Sequence, residues 1–239
     1  MVMNSLEANN QNQELVLRRS NLAQYIQSRA IIKSVETGYV SIEPVNCVVD
    51  PHILKEAAAI TNGLFLKQLP PELQPQMVIG VPNRGREFAT ALGLETGLPI
   101  GVTERLVVSG VGDHTPWQKR DYEQRDIIII NGISSFTNPG EFHRHKIRGL
   151  QPDLQPGQTV LIADDFCAKA NATNRYIEAF QELGIVPIFA YIVAKDFVDG
   201  KGNSQKGFRE IRAGNQPAFA VVRLTGIQDG RVSVSSQDI

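Results

Sequence analysis

The segment VLIADDFCAKANAT, Val160 to Thr173, carries the pattern on which the reading of this chain turns. An apolar run ends in two adjacent acids, Asp164 and Asp165, and small residues then lead into the helical stretch Ala172 to Leu183. A short apolar run bounded in this way reads as a buried strand. The helix beyond it offers unpaired backbone N–H groups and a partial positive charge at its start, and small side chains let an anion come close to them. Ionised carboxylates only accept hydrogen bonds, so Asp164 and Asp165 suit a ligand rich in hydroxyl donors, such as a ribose. On pattern alone the same residues also fit a plain strand-to-helix turn whose acids cap the helix.

Working outward, Gly184 sits where a helix C-terminus needs it, and Ile185 to Val193 and Ala218 to Leu224 read as two further strands. Upstream, MVIGV (Met77 to Val81) is a short apolar strand followed by NRGR and the helical EFATALGLETG, and LPIGV (Leu98 to Val102) is another strand. Helices are expected from Leu15 to Ile32 and from Pro51 to about Leu69, with PELQP as a turn. Strand, helix, strand repetition predicts an α/β fold with a mainly parallel central sheet flanked by helices. Ligands of such sheets bind beyond the carboxyl ends of the strands, which places the chemistry in the loops after Val81, Val102, Asp164 and Val193.

With 239 residues, 42% apolar and 21% charged, the chain suits one globular domain over 15–239, preceded by a disordered, Asn- and Gln-rich tail over 1–14. The formal net charge of -1 argues against a nucleic-acid partner held by bulk electrostatics. Two cysteines, Cys47 and Cys167, lack metal-ligand spacing and are too few for a disulfide framework, and no stretch approaches the ~18 apolar residues of a membrane span. A cytoplasmic protein without membrane contact is expected. His143 and His145 offer two ligands for a metal, with no matching third.

The segment Val160 to Thr173 resembles the signature of type I phosphoribosyltransferases, and within them it is most similar to the xanthine phosphoribosyltransferases. Further segments resemble theirs in the same order. VNCVVDP (Val45 to Pro51) is similar to the stretch with the base-reading Asn, here Asn46, and PNRGRE (Pro82 to Glu87) to the pyrophosphate loop. SSFTN (Ser134 to Asn138) resembles part of the mobile loop, AKDF (Ala194 to Phe197) the purine-binding segment, and GIQDGRVSV the C-terminal hairpin turning at Asp229-Gly230.

The resemblance implies transfer of ribose 5-phosphate from phosphoribosyl pyrophosphate (PRPP) to a 6-oxopurine of the xanthine type, with loss of pyrophosphate, in purine salvage. Asp164, Asp165, Arg84 and Arg105 would be the catalytic set. Ala168, Lys169, Ala170, Asn171, Ala172 and Thr173 would hold the 5-phosphate, and Asn83 and Gly85 the pyrophosphate. Asn46, Phe166, Lys195 and Phe197 would surround the base under a small hood, and Ser135, Phe136 and Thr137 would belong to an enlarged mobile loop over about 106–150. Mg2+ would arrive with PRPP, touching Asp164 or Asp165 at most. A homodimer is implied too. The chain departs from the family at Ala170, usually Gly, and at Pro82, usually an acid; if residue 170 needs φ > 0, alanine costs of order 1 kcal/mol. A sensor that binds PRPP or a nucleotide without turnover is therefore the alternative.

Overall fold

Continuous apolar runs build the central strands and apolar i, i+3, i+4 spacing the helices, and a computed structural model shows how they assemble. It describes residues 2–47, 49–82, 84–108, 117–122, 125–134, 142–148 and 156–237. The chain begins with helix α1 (Val2–Arg29) and the hairpin β1 (Ala30–Ser34) and β2 (Tyr39–Ile42). It continues through α2 (Pro51–Leu64), β3 (Met77–Gly80), α3 (Gly85–Thr96) and β4 (Ile100–Val108). After β5 (Trp117–Tyr122), β6 (Arg125–Ser134) and β7 (Phe142–Arg148) come β8 (Thr159–Cys167), α4 (Asn171–Glu182) and β9 (Val186–Lys195). The last elements are α5 (Gly207–Ala213), β10 (Ala218–Gln228) and β11 (Arg231–Ser235).

Nine strands form one sheet in the order β11-β10-β9-β8-β3-β4-β7-β6-β5. Its centre, from β10 to β4, is parallel throughout, and antiparallel pairs extend it at both ends. The chain leaves β3 towards β4 on one side, and leaves β8 towards β9 on the other. The switch point expected to host a ligand thus falls between β3 and β8. Their register, Gly80 beside Ala163, brings the two following loops together. Apolar side chains are buried on both faces: Ile26, Ile53, Phe88 and Leu161 in one cluster, Ile162, Tyr176, Phe180 and Phe189 in the other. The hairpin β1-β2 forms a separate two-stranded sheet.

The structure corrects two expectations. The tail read as disordered over 1–14 is helical from Val2 onward. Its Gln, Glu and Leu residues are good helix formers, and they extend a helix anchored by buried Leu22, Ala23 and Ile26. The region 106–150, read as an enlarged mobile loop, contributes the end of β4 and the three strands β5, β6 and β7. The run Ile127 to Ile130 is the reason, because its side chains are largely buried. Ser135, Phe136 and Thr137 lie outside the described residues.

Arg19 shows how α1 closes the sheet. Strand β11 joins β10 only from Arg223 onward, so the first half of β10 would be an open edge. The Arg19 guanidinium donates to the carbonyl oxygens of Val221 at 2.9 Å and Ala220 at 2.8 Å, and it stacks over Phe219. Arg19→Ala is expected to lower stability by about 2–3 kcal/mol, since both carbonyls lose a charged donor; urea unfolding will measure it.

Candidate functional site

The carboxyl ends of β3 and β8 meet the N-termini of α3 and α4. Gly85, the first residue of α3, lies so close to β8 that a Cβ there would come within 2.4 Å of the Ala163 carbonyl and 3.1 Å of an Asp164 carboxylate oxygen. Any side chain at 85 would separate the two loops. Arg84 precedes it with no side-chain cap for the helix, and its charge reaches Asp165. Asn83 lies outside the described residues.

Asp164 and Asp165 end the straight part of β8, which continues to Cys167 rather than stopping at the acids. The Asp165 amide donates to the Asp164 carboxylate at 2.9 Å. Both acids are half-buried. Burial pushes the Asp164 carboxyl well above its usual range, and the Asp165 charge pushes the same way. Burial raises Asp165 to about 6, although Arg84 pulls it down, and Glu87 pushes it further up. Glu87, one turn into α3, keeps a buried oxygen without a hydrogen-bond partner. The sequence signalled this third carboxyl only as part of PNRGRE and assigned it no role.

Beyond β8 the loop Ala168–Ala170 leads into α4. Ala170 is the residue before the helix, at φ 57° and ψ 19°, in the left-handed region that favours glycine. The condition set by the sequence is therefore met, and Ala170→Gly is expected to stabilise the protein by about 0.5–1 kcal/mol, readable as a rise in Tm. No side chain caps α4, so the backbone amides of its first turn are left unshielded by an acid. The acids thus do not cap the helix. Lys169 is exposed. The Thr173 hydroxyl hydrogen-bonds the buried Tyr191 hydroxyl at 2.8 Å, which ties the first turn of α4 to β9.

On the far side of β8, Lys195 at the end of β9 is 1% exposed and donates to the Gly38 carbonyl at 2.7 Å. Its ammonium lies 5.4 Å from the centre of the Phe166 ring. Burial lowers Lys195 to about 8, against the pull of Asp199. Phe166 keeps part of its surface exposed, whereas Phe197 is buried in the main core beneath Gly38. Phe197 thus supports the hairpin turn. Asn46 belongs to a π-helical turn, Glu43–Cys47, that lies against β8.

Arg105 projects from β4 towards β7 and contacts His143, and His145 pairs with Tyr176 at 3.0 Å. Burial, helped by the nearby His143 and Arg105 charges, lowers His145 to about 3, so its ring is neutral. The two histidines thus contact Arg105 and Tyr176, and no group of three or more metal-ligating side chains occurs among the described residues. Cys167 is buried, and burial first and Asp164 second drive its thiol well above the ordinary range, so no reactive thiolate arises there. No described helix is long and apolar enough to cross a membrane.

No family model matches the chain. In sequence it is similar to the xanthine phosphoribosyltransferase of Geobacillus thermodenitrificans (strain NG80-2), at 22% identity over 78% of this chain and 82% of that protein. It is likewise similar to the hypoxanthine/guanine phosphoribosyltransferase of Methanobrevibacter ruminantium, at 21% identity over 90% and 97% of the two chains. In fold it is similar to the adenine phosphoribosyltransferase of Trypanosoma brucei, with a TM-score of 0.58, 14% identity, and coverage of 88% of this chain and 82% of that one. The corresponding protein of Saccharomyces cerevisiae gives a TM-score of 0.55 at 15% identity, over 84% of this chain and 99% of that one.

Proposed function

We propose that this chain, a type I phosphoribosyltransferase in fold and in sequence resemblance, transfers ribose 5-phosphate from PRPP to a 6-oxopurine and releases pyrophosphate. The observation that carries the reading is the meeting, at one switch point, of an ionisable acid pair with two uncapped helix N-termini. The 5-phosphate would rest on the amides of Ala168 to Thr173, with Lys169 as added charge. Pyrophosphate would take Gly85, Arg84 and Arg105. Asp164 and Asp165 would accept the ribose hydroxyls.

The bond from the anomeric carbon to pyrophosphate breaks while a base nitrogen bonds to the same carbon, and the base's proton leaves to solvent. No protein nucleophile takes part; the residues position the reactants and stabilise charge. Mg2+ fits here as a cation brought by PRPP, because the acid pair is short of positive charge and offers too few ligands to hold it alone. When bound it would offset charge on the departing pyrophosphate. Lys195, whose ammonium only donates and lies beside the Phe166 ring, supports an oxopurine over adenine, since an exocyclic oxygen accepts and an amino group does not. The two relatives in sequence are named for oxopurines, and the fold neighbours for adenine.

The test is pyrophosphate release from PRPP and Mg2+ with xanthine, guanine, hypoxanthine and adenine offered in turn. Turnover with an oxopurine and not with adenine is expected; adenine as the preferred acceptor would sink the assignment to Lys195. Tight PRPP binding without turnover would favour the sensor, which the left-handed Ala170 supports.

A further inference from the structure

We infer that Gly207 is a positioning residue for the phosphate loop: by lacking a side chain it lets α5 lie against the backbone of residues 168–170 and set their shape. A Cβ on Gly207 would fall 2.5 Å from the Ala170 nitrogen, 2.6 Å from the Lys169 carbonyl carbon and 2.7 Å from the Ala168 carbonyl oxygen. All three are backbone atoms of the loop, so no flexible side chain can yield. The contact is also bonded, since the Gly207 amide donates to the Ala168 carbonyl at 2.9 Å.

The neighbouring residues of α5 extend the same grip. Phe208, 2% exposed, meets the Tyr191 ring edge-on with centroids 6.1 Å apart, and the Tyr191 hydroxyl holds Thr173 in the first turn of α4. Arg209 forms two hydrogen bonds to Asp196, the residue after Lys195. A single short helix thus braces both ends of the loop and the strand end that carries Lys195. The brace acts on geometry alone, because Gly207 has no group to offer a ligand. It matters because Ala170 sits in a conformation that alanine does not favour by itself, and the surroundings must impose it.

The inference rests on the proposed reading of residues 168–173 as a phosphate site, and calorimetry with two probes separates the two. Ribose 5-phosphate tests the loop braced by α5; magnesium pyrophosphate tests the Arg84 and Gly85 side, which Gly207 does not touch. Gly207→Ala is expected to weaken ribose 5-phosphate binding by about tenfold or more, as loop displacements near 1 Å do, while pyrophosphate affinity stays within about twofold. Gly226→Ala, whose Cβ would have nothing within 4 Å, should leave both unchanged. Equal ribose 5-phosphate affinity in folded Gly207→Ala and wild type would overturn the inference, as would equal losses towards both probes. A wild-type chain that ignores ribose 5-phosphate would instead overturn the phosphate site. Should Gly207→Ala not fold, Phe208→Leu loosens the brace without adding atoms to the loop, and the same selective loss is expected; unchanged binding there overturns the inference equally.

Discussion

Asp165→Asn should make the free protein more stable at pH 8, by about 1–3 kcal/mol, while weakening ribose 5-phosphate binding at least about tenfold. The folded Asp165 titrates near 6, against an ordinary value of 3.8, because burial disfavours the carboxylate. A raised folded value means that the folded state holds its proton longer than the unfolded chain does. The associated stability is fully present below about pH 4 and is lost as pH rises through about 6. Asparagine carries no charge and escapes that loss, but it also surrenders an anionic acceptor for ribose hydroxyls. Urea unfolding at pH 4.5 and pH 8 reads the first effect, which should shrink at the lower pH. A variant no more stable than wild type at pH 8 would show that the acid pair is not strained in the free protein.

A larger loss of stability is expected from Asp196→Ala, about 3–5 kcal/mol. The Asp196 carboxylate is 2% exposed and bonds Arg223 at 2.7 Å and Arg209 at 2.8 Å. Arg223 lies in β10 and is itself 8% exposed, so removing the acid takes a close counter-charge from a buried guanidinium, from which Gln237 and Ser235 still accept. Pairing Asp196→Leu with Arg223→Met should recover most of the loss, because the buried charge then disappears with its partner. Denaturant midpoints of the single and double variants decide this. If the single variant loses less than about 1 kcal/mol, the pair behaves as an exposed ion pair and contributes little.

The legible part of the molecule is the part whose signal is local. Thr159 to Asp164 announced a buried strand by apolar character, and β8 includes it; Pro51 announced a helix start, and α2 begins there, capped by Asp50 through the His52 amide. Asp229 and Gly230 announced a tight hairpin, and both adopt positive φ between β10 and β11. The strands β5, β6 and β7 were missed because WQKRDY and FHRHKIR are largely polar and charged, and because pairing with β4 lies far along the chain. Lys195 and Phe197 stood two residues apart in one segment with one expected role; both are buried, Lys195 bonded to the Gly38 carbonyl and Phe197 packed under Gly38.

What the chain determines by itself is therefore the alternation of strands and helices, the acid pair and the small-residue loop. Each depends on the chemistry of a few neighbouring residues. Tertiary structure alone decided that Thr173 is bonded to Tyr191, that His143 and His145 belong to Arg105 and Tyr176, that Glu87 closes on the acid pair, and that Gly207 seats α5 on the phosphate loop. These depend on distances between segments far apart in sequence. They are set only when the sheet order and helix packing bring the two backbones to within a few ångströms of each other.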